Sequence, residues 1–277
     1  LMADGSFYSN QANYDEFSFV QEFQNRDSRL SQTYAYPGFV LVNSRTYSQG
    51  AGMYVQQLAK NFSGYHQLKG FVNVTDQATI NNLDFPVLRF AETLLIYAET
   101  KAELNEMNQA VLNQTVNLLR NRAGMPDLTM GVTVTDPVLL EIRRERRVEL
   151  ALEGYRFDDL MRWKAGKLLE EEPKGLYFSG LGKHDVTGDG IEDIILLDAS
   201  ASIPDTKERN ALDVPFAYYR VGSFGENVGV FLSEGNSGHI LTVIERGIFD
   251  DPKFYYRPVP AAQVALNPSL EQIFGWN

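Results

Sequence analysis

The rhythm of apolar and polar positions changes along the chain. Residues 1–80 are rich in Tyr, Asn, Ser, Gly and Gln with little helical period, which predicts loops and short elements carrying exposed aromatics. From Pro86 the rhythm turns helical. Leu88, Ala91, Leu95, Ala98, Ala102 and Leu104 recur at helical spacing behind a proline suited to a first turn. A second run, Val111, Leu112, Val116 and Leu119, stops at Gly124 and Pro126. The two predict a short-linked antiparallel pair the size of one tetratricopeptide-type repeat. A third helix is expected from a cap at Thr135 or Asp136, with Pro137 in its first turn, to Gly154. A fourth follows in "FDDLMRWKAGKLLEEE". Beyond residue 172 the period fades. "IEDIILLD" and "GHILTVIER" predict short strands between Gly-, Asn- and Ser-rich turns, and the proline-bearing tail reads as ordered but irregular. The expected architecture is a single, mainly α domain over 1–277. Its parts are a loop-rich face (1–80), a helical scaffold (85–172), and a segment of loops and a few short strands (173–277).

The third helix is unusual. In "IRRERRVELALEGYRFDDLMRW", residues 142–163, charge falls where a helix should pack. On a wheel of 100° per residue, Val138, Leu139, Ile142, Leu150 and Leu152 define an apolar arc. Glu145, Glu149 and Glu153 fall inside it at i,i+4 steps, and Arg146 beside them. Buried unpaired, such a stripe would cost several kcal/mol per charge, so arginine forks are expected to neutralise it. Arg89, Arg120, Arg122, Arg156 and Arg162 are the candidates in sequence. A glycosidase-type acid/base pair would also need two nearby carboxylates, one with a raised pKa. Arginines this dense lower carboxylate pKa values and leave no proton donor near neutral pH, so the stripe reads as a structural clamp and no catalytic residue is assigned.

Composition narrows the classes. A net charge of −11 and a pI near 4.8 argue against a nucleic-acid partner. The absence of cysteine removes disulfides, thiolate catalysis and cysteine metal sites. His66, His184 and His239 lie far apart and read as ordinary histidines rather than ligands. No apolar run reaches the ~18 residues of a membrane-spanning helix. The opening "LMADGSFYSNQANYDEF" has neither a basic nor an apolar signal-peptide region, and the chain is taken as the C-terminal portion of a longer protein.

Several stretches then occur in a telling order. "NRDSRL" (25–30), "FPVLRFAETLLIYAETKAELN" (85–105), "LLRNRAGMP" (118–126), the charged helix itself and the closing "YYRPVPAAQVALNPSLEQIFGW" each resemble a landmark of the SusD/RagB family. These are surface glycan-binding lipoproteins of Bacteroidetes outer membranes. Ser28 stands where that family commonly has proline, and "IFGW" replaces a more usual Asn-Pro-Gly-Trp.

The resemblance implies a tetratricopeptide-like scaffold and long loops that hold a glycan for a TonB-dependent, SusC-like transporter. It implies binding without chemistry, no required cofactor, and a place on the outer face of the outer membrane through a lipid anchor upstream of this segment. Sugar rings stack their C–H faces on aromatics while polar side chains bond the hydroxyls. In 29–70, Tyr47 and Tyr54 are the preferred platforms, with Tyr36, Asn43 and Arg45 as further ligand-binding candidates. The alternative for these rings is cover for the core. A peptide-binding importer component is the competing function, and a hydrolase the remote one.

"DVTGDGIEDIILLD" adds a metal candidate. Asp185, Thr187, Asp189, the Ile191 carbonyl and Asp193 occupy positions 1, 3, 5, 7 and 9 of an EF-hand-type loop, with Gly190 at 6. Leu196 stands where the bidentate acid belongs, so the loop resembles the calcium loops of dockerin and FG-GAP repeats more closely. A structural Ca²⁺ is one expectation and a polar turn before a strand is the other.

Overall fold

The N-terminal residues form short turns: 3-10 turns at Tyr8–Asn10 and Tyr14–Glu16, then α1 (Phe19–Glu22) and α2 (Arg29–Thr33). Ser18 caps α1 through a reciprocal box with Gln21, which lets so short a helix start cleanly. The computed structural model describes residues 1–42, 47–74, 84, 86–133, 138–242, 247–267, 269–273 and 276. They divide into two units, Leu1–Leu152 with Lys174–Thr242, and Glu153–Pro173 with Val243–Asn277.

In the first unit, α3 (Phe90–Glu103) buries Ala91, Leu94, Leu95 and Ala98. Leu88 and Leu104 lie outside that helix and are exposed: Arg89 is already extended at the N-cap, and Leu104 is the C-cap. The expected second helix is two: α4 (Gln109–Gln114) and α5 (Val116–Arg122). Thr115 leaves the helical basin between them at φ −130°, ψ −94°, with its hydroxyl donating back to the Val111 carbonyl at 2.6 Å. α6 (Val138–Glu149) packs against α3, and its expected cap residues Thr135 and Asp136 lie outside the described residues. It stops at Glu149, and Leu152 sits at φ +62°, so Glu153 is not a third rung.

Strand structure exceeds the expectation. The strands are β1 (Lys174–Phe178), β2 (Gly182–His184), β3 (Ile194–Asp198), β4 (Ala217–Gly222), β5 (Val230–Phe231) and β6 (Gly238–Leu241). β2-β3-β4-β5 form one sheet, antiparallel at β2–β3 and parallel elsewhere, while β1 and β6 pair antiparallel. The largest described apolar cluster lies here, with Leu176, Phe178, Ile194, Leu196, Val221, Leu232 and Ile240 packed on Phe19, Val55 and Leu58. The fold is mixed, with helices beside two small sheets. Gly175 seats β1 against residues 61–65. A Cβ there would lie 2.6 Å from the Ser63 carbonyl and 2.8 Å from Ile240 Cβ, and Leu176 N donates to the same carbonyl at 2.9 Å.

In the second unit, α7 (Arg156–Arg162) is followed by a 3-10 turn, Gly166–Glu170, where one long helix was expected. Lys164 at φ +53° breaks the run, and Gly166 lies flush on the Phe249 ring where any Cβ would clash. Gly166 N donates to the Tyr255 hydroxyl at 2.9 Å and Phe249 N to Glu170 Oε1 at 2.6 Å. α8 (Ala261–Leu266) completes this unit.

Candidate functional site

The acidic rungs of α6 are enclosed by guanidinium groups. Glu149 and Glu145 side chains are each 1% exposed. Glu149 accepts from Arg89 Nη1 at 2.7 Å, from Arg122 Nη2 at 2.7 and 2.8 Å, and from Arg29 Nη1 at 3.1 Å. Glu145 takes Arg29 on one oxygen and Arg120 Nη1, at 3.2 Å, on the other. Arg29 also forks Asp27, Nε to Oδ1 at 3.0 Å and Nη2 to Oδ2 at 2.7 Å. Burial pulls the Arg29 guanidinium down, but Asp27 and Glu145 outweigh it and hold it firmly protonated. Arg89, Arg120 and Arg122 were legible partners, and Arg29 is the one the sequence reading missed. Arg162 instead pairs with Asp159 at 2.9 Å within the second unit. The four hydrogen bonds on Glu149 fill its acceptor positions and leave that carboxylate none for general acid–base work.

The described members of the expected ligand set, Tyr36, Tyr47 and Tyr54, gather around Phe39. Tyr54 is 4% exposed, edge-on to Phe39, with its hydroxyl 3.2 Å from His66 Nδ1; burial pushes that hydroxyl up to about 12. It sits in a small cluster with Ala35 and Phe39, because Tyr54 N and Val55 N pair with the Phe39 and Tyr47 carbonyls. Tyr47 packs on that cluster and its hydroxyl accepts from Lys60 Nζ at 2.6 Å. Tyr36 is 39% exposed and edge-on to Phe39. Asn43 and Arg45 lie outside the described residues.

The aspartate loop is closed by its own backbone. Asp185 accepts from the N–H groups of Thr187, Gly188 and Gly190, and Asp193 from those of Val186 and Thr187. Thr187 Oγ1 lies 3.5 Å from Asp185 Oδ1 and 3.4 Å from Asp193 Oδ1, so three expected ligands converge. The Asp189 carboxylate serves Ile191 N instead, and among the described residues no group of three acids or histidines is arranged around a metal position. Burial raises Asp193 to about 6, with Asp185 adding to the shift.

A site the sequence reading missed lies at the other end of the N-terminal turns. Tyr8, Tyr14, Phe17, Tyr65 and Tyr177 line a half-open pocket of about 270 Å³, together with Asp15, Glu22, Lys174 and His239. Tyr8 stands edge-on to Tyr14 and to Phe17, with ring centroids 5.5 and 5.9 Å apart, and donates its hydroxyl to the Tyr14 carbonyl at 2.9 Å. Arg26 stacks 3.7 Å over Tyr8 and ties Nη1 to the Glu22 carbonyl, which fixes the ring. Across the pocket, Tyr177 and His239 are opposed in the β1–β6 register. His239 Nδ1 lies 3.1 Å from the Gly175 carbonyl, which can only accept, so Nδ1 carries the proton. Glu22 is engaged by the Tyr65 hydroxyl, and burial raises its carboxyl. Aromatic walls with a few convergent polar groups are the chemistry of a small ligand site. The signal in sequence was the aromatics Phe7, Tyr8, Tyr14 and Phe17 set among polar residues near the start of the chain.

A family profile described as the SusD family matches residues 1–276. A SusD-like protein of Formosa agariphila is 32% identical over 125 residues, which are 43% of this chain and 23% of that protein. Among solved structures, a SusD-like carbohydrate binding protein from Bacteroides fragilis NCTC 9343 superposes with a TM-score of 0.61 at 24% identity, covering 98% of this chain and 46% of the other. A second SusD-like protein from the same strain gives 0.60 at 21% identity, covering 100% and 45%. The chain spans less than half the length of each of these relatives, and the two solved structures establish the likeness of fold.

Proposed function

Because the chain belongs to the SusD family, we propose that it binds oligosaccharides at the cell surface and performs no chemistry on them. The observation that carries this reading is the pocket walled by Tyr8, Tyr14, Phe17, Tyr65 and Tyr177. Several rings around a polar floor suit a pyranose, whose C–H faces stack while its hydroxyls reach Asp15, Glu22, Lys174 and His239. Tyr36 and Tyr47 offer a second, shallower aromatic surface on the same unit, and Tyr54 supports it from below. In this reading Asn43 and Arg45 serve that second surface. The locked state of Glu145 and Glu149 speaks for a strut rather than a reaction centre. A structural Ca²⁺ held by Asp185, Thr187, Asp189, the Ile191 carbonyl and Asp193 is part of the proposal, supported by the convergence on Thr187.

In the whole protein, the bound glycan passes to a SusC-like TonB-dependent transporter, on the outer face of an outer membrane, from a lipid-anchored carrier. Affinity electrophoresis against a polysaccharide panel tests the binding. Retardation by at least one polysaccharide, lost in Tyr14→Ala, is expected. Migration unaffected by every polysaccharide would remove the reading.

A further inference from the structure

The aromatic pocket has a polarity of its own. Glu22 Oε2 is engaged by the Tyr65 hydroxyl, and among the described residues no group bonds Oε1 of this pocket-lining side chain. Asp15 stands on the lining, and Glu16 and Glu234 act with it on the Tyr177 hydroxyl. The cations nearby are fewer. Lys174 lines the pocket, while Arg26, held on the Tyr8 ring and bonded to the carbonyls of Leu1 and Glu22, offsets part of the Glu22 charge. His239 spends its Nδ1 proton on Gly175. The ring faces of the surrounding aromatics present negative potential as well. A uronate or sulfate group entering here would meet like charge, whereas an ammonium group would meet both π-faces and a carboxylate oxygen.

Resting on the glycan reading above, the geometry points to a subsite for a sugar unit carrying a protonated amine, whose ammonium donates to Glu22 Oε1. The amine-bearing ring is favoured over a lysine side chain because the walls are broad rings on several sides rather than a narrow slot. Glu22 and Asp15 are then the residues that set specificity, and the rings supply affinity that neutral sugars share.

Calorimetry at neutral pH with β-1,4-linked tetramers of glucosamine, N-acetylglucosamine and glucose, differing only at C2, tests this. Tetragalacturonate and tetralysine complete the panel. The glucosamine tetramer should bind about tenfold tighter than the glucose tetramer, and tetragalacturonate weakest. Glu22→Gln should bring the glucosamine and glucose affinities at neutral pH to within about threefold of each other. It removes one charge from a chain of net −11, so general attraction of a cation to an acidic protein would survive it. Asp15→Asn, on the exposed rim, should lower the ratio in the same direction without touching a buried group. Equal affinities in the unsubstituted protein, or a preference that persists in both variants, overturns the inference and leaves glycan binding standing. Binding of tetralysine with no response to any sugar overturns both.

Discussion

Arg29 sets one guanidinium nitrogen between Glu145 and Glu149, which follow it in the chain by 116 and 120 residues. Through that contact a short N-terminal helix is fastened to the C-terminal half of α6. Removing one partner of a buried ion network leaves the other charges uncompensated, so Arg29→Met should cost about 3–5 kcal/mol of unfolding free energy. Urea denaturation checks it. A loss under about 1 kcal/mol would mean the contact is as weak as a surface pair.

Asp27 gives the clamp a pH signature. Burial opposes ionisation, but the fork from Arg29 wins and holds its carboxyl below the ordinary 3.8. A carboxyl depressed in the folded state contributes stability that is present above the unfolded pKa and lost as pH falls through the folded one. Denaturation curves should therefore show stability declining below about pH 4, and Asp27→Asn should be weaker at neutral pH but flatter in acid. A variant that keeps the unsubstituted protein's acid slope would assign that slope to other groups.

Asp193 has the opposite sign. Its carboxyl is raised to about 6, so the stability it contributes is complete below the unfolded value of 3.8 and lost as pH rises through about 6. Asp193→Asn should erase that decline. Ca²⁺ requires the ionised form, so added Ca²⁺ should raise the melting temperature above pH 6 and do little at pH 4. No thermal shift at either pH would remove the ion from the loop.

What could be read in the residues follows from how local each feature is. α3 and α6 carry their period within one segment, and Arg89 at the N-cap of α3 and Arg120 and Arg122 in α5 are brought by packing to Glu145 and Glu149. Arg29 opens the five-residue α2, too short to carry a period that points toward a distant helix. The helix breaks at Thr115 and Lys164 escape a reading of period because the apolar spacing runs on across them. The pocket was hidden for a different reason. Tyr8, Tyr14 and Phe17 gain walls only when β1 and β6, 60 residues apart, pair Tyr177 with His239, and short strands of this kind announce neither partner nor register.

Gly175 links that pairing to the pocket. An added methyl would meet the Ser63 backbone carbonyl and the core residue Ile240, so Gly175→Ala should destabilise by about 1–3 kcal/mol. Because Gly175 also lines the pocket, ligand affinity should fall in parallel; a stable variant with unchanged affinity would show that the β1–β6 pairing does not set the site.

The most direct test of the account is calorimetric titration of Tyr177→Ala against the unsubstituted protein, using the best-bound oligosaccharide from the panel. Tyr177 is a half-buried wall outside the main core, so the fold should persist and the affinity should drop about tenfold or more. Unchanged affinity in a folded Tyr177→Ala would contradict the assignment of this pocket as the glycan site.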